Sequence, residues 1–123
     1  MMRTITALCA VALTLAVADP AAAAPKTRLV LSYMAEAGYA AAVTLRCEPA
    51  GGAHPKPARA CTTLRKAGGK PGRIEPAQMM CTLEYAPITA EVRGSWRGKA
   101  VRWSKTFPNR CDLTRATGIL FAF

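Results

Sequence analysis

Cys81-Thr82-Leu83-Glu84-Tyr85-Ala86-Pro87 is the segment of this chain whose residue types could act on another molecule. A cysteine able to form a disulfide is followed two residues on by a large apolar side chain. A tyrosine and a proline come next, and the residue before a proline, here Ala86, is steered out of the helical region into an extended backbone. An extended segment with one protruding leucine, tethered upstream, has the shape that serine proteases of subtilisin or chymotrypsin type accept as substrate. Held so that it cannot relax after attack, such a segment would block the protease. Chemistry by the chain itself is not indicated: it has a single histidine, no G-x-S-x-G and no glycine-rich phosphate loop. An enzyme is not expected, and neither is a cofactor.

The segment must be carried by something small. The chain has 123 residues and opens on Met1-Met2-Arg3 followed by an uncharged apolar run, Ile5 to Ala18. That run is shorter than the roughly 20 residues that span a bilayer and suits a secretory signal. Cleavage is expected after Ala18 or after Ala23 or Ala24. Residues 1–24 are thus read as a signal peptide and 25–123 as one domain, exported and free of the membrane once the signal is removed.

Cys9 falls within the signal, leaving Cys47, Cys61, Cys81 and Cys111. An even count in a small exported domain reads as two disulfides, and spacing alone leaves three pairings open. Sequential pairing would close loops worth about 3–4 kcal/mol each by chain entropy. A zinc site is not expected, because there is no C-x-x-C and His54 is the sole histidine.

Net charge is +10, and losing Arg3 and Asp19 with the signal leaves it unchanged. The basic residues look scattered, with Arg93, Arg97, Lys99, Arg102 and Lys105 at strand-like spacing. Nucleic acid is not an expected partner, since Trp96 and Trp103 fit strand interiors better than stacking platforms.

Periodicity predicts strands over Lys26 to Met34 and over Ala40 to Cys47, where Val43, Leu45 and Cys47 alternate. The breaker-rich 48–55 reads as a loop, with His54 a structural histidine between a small residue and Pro55. Pro57 suits the first turn of a helix whose buried face is Ala60, Cys61, Leu64 and Ala67, ended by Gly68-Gly69. Cys61 on that face can reach back to the end of the preceding strand, which favours Cys47–Cys61. Ile88, Ala90, Val92 and Trp96, then Val101, Trp103 and Phe107 across Arg97-Gly98, describe a hairpin with one apolar face. A helical turn is expected over Asn109 to Arg115, and a closing strand over Ile119 to Phe123. The economical architecture is α+β, an antiparallel sheet with helical cover.

Several stretches, in order, are similar to the Streptomyces subtilisin inhibitor-like family of serine protease inhibitors. They are Val43-Thr44-Leu45-Arg46-Cys47, Gly52-Ala53-His54-Pro55, Ala60-Cys61, Met80-Cys81, Gly94-Ser95-Trp96-Arg97-Gly98-Lys99, Phe107-Pro108-Asn109-Arg110-Cys111 and Phe121-Ala122-Phe123. The resemblance implies a five-stranded antiparallel sheet with two short helices packed on one side, two disulfides paired Cys47–Cys61 and Cys81–Cys111, and a homodimer. It places the reactive bond at Leu83–Glu84, in an inhibitor of subtilisin-like and, more weakly, chymotrypsin-like serine proteases. Met79, Met80, Thr82 and Tyr85 become protease-contacting residues, with Thr82 where the family often has proline. Cys81, Cys111 and Asn109 become the loop's supports. Cys-Thr-Leu-Glu-Tyr also resembles the reactive loop of Kazal-type inhibitors, although the six-cysteine Kazal framework is missing. The competing reading is a secreted cationic binding protein, or a substrate or regulator of an exported processing enzyme such as a transglutaminase.

Overall fold

Alternation of buried and exposed side chains decides which face of each strand meets the core. In the computed structural model, which describes residues 11–16 and 26–123, strand β1 (Thr27–Ala35) turns Thr27, Leu29, Leu31 and Ala35 inward and Arg28, Val30 and Met34 outward. The expected signal and its cleavage sites at Ala18, Ala23 and Ala24 lie largely outside the described residues. Strand β2 (Ala40–Cys47) buries Leu45 and Cys47 on the same face. Helix α1 (Pro57–Lys66) follows; Pro57 stands in its first turn, where the missing N–H costs nothing. Its buried residues Ala60, Cys61 and Leu64, with Ala67 just beyond, pack beneath β2 as the helical period requires.

Strands β4 (Ile88–Trp96) and β5 (Lys99–Phe107) form the hairpin. Its turn is Arg97-Gly98, with φ of 48° and 82°, the left-handed geometry that two-residue hairpins favour. Helix α2 (Arg110–Thr117) then returns beneath β4 and β5, burying Leu113. With the short strand β3 (Gly51–Gly52) at one edge, the sheet order is β3-β2-β1-β4-β5, wholly antiparallel, with both helices on one face. Leu64, Leu113 and Leu120 close the core against Leu29, Leu31, Leu45 and Val92. Each such side chain contributes roughly 1.5–3 kcal/mol on burial. The Cys47–Cys61 disulfide, with Cα atoms 5.7 Å apart, staples α1 to the end of β2.

Two expectations are corrected. The fifth strand is not Ile119 to Phe123 but β3 (Gly51–Gly52), inside the segment read as a loop and paired with Leu45 and Arg46. A two-residue strand has no alternation to read. Gly52 is required there, because a Cβ would stand 2.1 Å from the Thr44 carbonyl oxygen at a φ of 97°. The C-terminal apolar run instead turns after Gly118 (φ 59°) and drops Leu120 and Phe121 into the core. Side chains satisfy its carbonyls in place of a strand ladder. His54 Nε2 lies 3.2 and 3.0 Å from the oxygens of Ile119 and Leu120, while His54 Nδ1 accepts from the Lys56 amide at 3.0 Å. Arg110 donates to the Phe121 carbonyl at 3.1 Å, and the Tyr33 hydroxyl donates to that of Phe123 at 2.8 Å. His54 is a structural residue, as read.

Candidate functional site

Between Ala77 and Pro87 the chain has no regular secondary structure, yet its backbone is fixed at several points. The Ala77 amide donates to the Arg115 carbonyl at 2.8 Å, and the Ala86 amide to that of Pro108 at 2.7 Å. Just downstream, the Glu36 amide of the β1–β2 turn donates to the Pro87 carbonyl at 2.9 Å. The Cys81–Cys111 disulfide, with Cα atoms 5.6 Å apart, ties the upstream arm to the first turn of α2. All these anchors belong to α2, the residue pair before it, or the sheet end, so the rigid core sets the loop.

Asn109 is the central support. Extended backbone at φ −164°, ψ 173° makes it the N-cap of α2, and its Oδ1 accepts from the Asp112 amide at 2.8 Å. The same side chain is 3% exposed and donates Nδ2–H to the carbonyls of Thr82 at 3.3 Å and Glu84 at 2.8 Å. Those carbonyls flank Leu83. One amide group therefore fixes both the start of a helix and the backbone on either side of the loop's tip. Asp112, in the first turn, suits the positive end of the helix dipole and pairs with Arg115.

With the backbone held inward, the side chains point out. Leu83 is 102% exposed, Met80 97%, Tyr85 82% and Met79 39%; Thr82 and Glu84 are exposed too. The residues singled out from sequence thus converge on one protruding loop and its base. Sequence reading missed the Pro108 and Arg115 carbonyls and the Glu36 amide. These are backbone atoms, and residue type carries no signal for them. Among the described residues no three His, Cys, Asp or Glu side chains gather as a metal site would require. The arrangement holds the backbone on either side of Leu83 in a fixed conformation.

Fold and site together define a loop-presenting protein: a disulfide-stapled α+β domain whose exposed segment is braced from beneath. The profile of the subtilisin inhibitor-like family matches residues 9–109. Subtilisin inhibitor-like protein 1 of Streptomyces cacaoi is 44% identical over 93 residues, covering 72% of this chain and 84% of the relative. The subtilase-type protease inhibitor of Streptomyces coelicolor is 42% identical over 84 residues, covering 67% of this chain and 58% of its own length. Among solved structures, Streptomyces caespitosus sermetstatin in complex with Bacillus licheniformis subtilisin aligns with a TM-score of 0.64 at 25% identity, over 78% of this chain and 97% of that one. The chain belongs to the subtilisin inhibitor-like family, and it is not an enzyme. Among the described residues no helix is long and apolar enough to cross a membrane.

Proposed function

We propose that this protein is exported, loses residues 1–24 as a signal, and inhibits subtilisin-like serine proteases by the standard mechanism, presenting Leu83–Glu84 as the reactive bond. The observation that carries this is the bracing of the two carbonyls beside a fully exposed Leu83 by the buried Asn109 amide. Leu83 would fill the protease's primary pocket, Met80 and Thr82 would lie along the upstream cleft, with Met79 behind them, and Tyr85 would pack on the leaving side. Little conformational freedom remains for the loop to lose on docking, which is how interfaces of ordinary size become very tight. If Leu83–Glu84 is cut, the disulfide and the Ala86–Pro108 bond keep the new ends together. The freed amine then attacks the acyl group at high effective concentration and re-forms the bond faster than the fragments separate. Chymotrypsin-like proteases should be inhibited more weakly by the same leucine.

The test is titration of the purified protein, without residues 1–24, against subtilisin. Stoichiometric loss of activity is expected. Rapid digestion of the protein with undiminished activity would overturn the reading.

We also propose a homodimer built on the sheet face opposite the helices. Support comes from two exposed apolar side chains on that face, Val30 at 46% and Met34 at 65%; Met34, Ala40 and Ala42 also border an open cleft of about 920 Å³. Val92, Val101 and Trp103 face the core and are not available to it. Light scattering at micromolar concentration should give the dimer mass and, for Val30→Glu, the monomer mass; a monomeric wild type refutes the dimer.

A further inference from the structure

The turn joining β1 to β2, residues 36–39, stands beside the downstream arm of the loop, and main-chain hydrogen bonds lock the two together. The Gly38 amide donates to the Ala35 carbonyl at 2.9 Å and the Ala35 amide to that of Tyr39 at 2.8 Å, closing the turn. Glu36, in the same turn, holds Pro87 through its amide. Between turn and loop lies an open notch of about 320 Å³, lined by Glu36, Ala37 and Tyr39 on one side and by Tyr85, Ala86 and Pro87 on the other. Tyr39 is 52% exposed yet fixed. Its ring meets that of Tyr33 edge to face at 6.3 Å, and Tyr33 packs on the core and stacks on Phe123 at 5.3 Å. Because Tyr33 is on the core side of β1, the notch opens at the end of the sheet and not on the face proposed for the dimer.

Charge sets this notch apart on a protein whose net charge is +10. Glu48, Glu91 and Asp112 are paired with Arg97, Arg93 and Arg115, whereas Glu36, Glu75 and Glu84 have no basic partner among the described residues. Glu36 lines the notch, and Glu84 precedes Tyr85. Tyrosine rings attract a cation to their faces, and an unpaired carboxylate at the same place attracts it again. The alanine and proline surface between them suits an aliphatic stem. An arginine side chain brings a stem, a planar cation that stacks on rings, and paired donors for a carboxylate. A neutral apolar side chain would leave Glu36 desolvated without a partner, and an acidic one would be repelled.

We propose that the notch between Tyr39 and Tyr85 is a second contact point for the inhibited protease, receiving an arginine from the rim of its leaving-side cleft. The proposal rests on Leu83–Glu84 being the reactive bond, which puts Tyr85 on the leaving side and brings that rim against Tyr39. Glu36 and Tyr39 then select among proteases that share a preference for leucine, favouring those with a cation at this point of the rim. Since main-chain bonds join turn and loop, the notch is formed before docking, and little freedom is lost in filling it.

Two measurements test this. In the first, the tyrosine ring NMR signals of the free protein are followed during titration with N-acetylarginine amide and with its neutral analogue N-acetylcitrulline amide. Tyr39 and Tyr85 should shift together and saturably, the arginine amide binding at least roughly 5-fold more tightly, and Glu36→Gln should erase that difference. This variant leaves the main-chain bond to Pro87 in place. In the second, single arginines are placed around the leaving-side rim of subtilisin and inhibition constants are measured. At one position or more the unaltered inhibitor should bind roughly 10-fold more tightly than it binds unmodified subtilisin, and Glu36→Gln and Tyr39→Leu should each lose most of that gain. Glu75→Gln removes the same charge upstream of the loop and should keep it. Melting temperatures identify any variant that has not folded. Equal or unsaturable shifts with the two amides, no gain at any rim position, or a gain retained by Glu36→Gln would overturn the proposal. Failure to inhibit any form of subtilisin would overturn the inhibitory reading and this one with it, and the amide titration would still show whether the notch takes a cation.

Discussion

Asn109→Ala tests the link between loop and helix most directly. The substitution removes an N-cap bond, worth about 1 kcal/mol. It also removes two hydrogen bonds to loop carbonyls, worth about 1 kcal/mol each where water cannot fully replace them. Because Thr82 and Glu84 are exposed, water partly compensates the loop, and the expected loss is about 2–3 kcal/mol. For a domain of this size that lowers Tm by roughly 10–20 °C. Asn109→Asp separates the two roles. A carboxylate still accepts from the Asp112 amide and suits the helix N-terminus, but it has no donor for the Thr82 and Glu84 carbonyls and repels them. At a buried position that repulsion offsets the retained cap, so its stability should fall about as much as that of the alanine variant, and the lifetime of its complex with subtilisin should fall at least as much. Unfolding melts give the first quantity and recovery of protease activity after dilution the second. If Asn109→Asp keeps the wild-type complex lifetime, the amide bonds are not what holds the loop, and the reasoning fails.

Leu83→Lys should leave stability within about 0.5 kcal/mol, as for surface substitutions, and bring trypsin-like proteases under inhibition through a lysine–carboxylate contact. An unfolded variant, or unchanged trypsin inhibition in titration, would contradict the assignment of the reactive bond. Removing the Cys81–Cys111 bridge, whose partners are 30 residues apart, as Cys81→Ala/Cys111→Ala should cost about 3–4 kcal/mol. It should also turn lasting inhibition into progressive cleavage at residue 83, visible by mass spectrometry. Gly94→Ala should destabilise by more than about 3 kcal/mol, because its Cβ would stand 2.1 Å from the Arg28 carbonyl oxygen at a φ of 140°. Gly98→Ala, with no atom in the way, should cost about 1 kcal/mol; chemical denaturation compares the two, and equal losses would refute the steric account.

What could be read ahead of the structure was whatever repeats. The two-residue period of β1, β2 and the hairpin, and the three-to-four period of Ala60, Cys61 and Leu64, each fell within a residue or two of the observed elements. Gly51–Gly52 could not be read as a strand, since its pairing is made by glycine backbone alone. Ile119 to Phe123 misled because an apolar run signals burial without saying how its backbone is satisfied; the partners, His54 and Arg110, are far away in sequence. At the site, Leu83 and its neighbours were legible as side chains, whereas the Pro108 and Arg115 carbonyls that pin the loop were not.

The division of labour around Asn109 also sets how this protein can change. The described contacts that shape the loop grip its main chain or Cys81, while Met80, Leu83 and Tyr85 stand clear of the body that carries them. The outward positions can therefore be exchanged one at a time, with no compensating substitution needed in the interior. The frame has the opposite property, since a change at residue 109 disturbs a helix and the loop together. A lineage exposed to shifting proteases, or a library built to follow them, should find its diversity at 80, 83 and 85 and its failures at 81, 109 and 111.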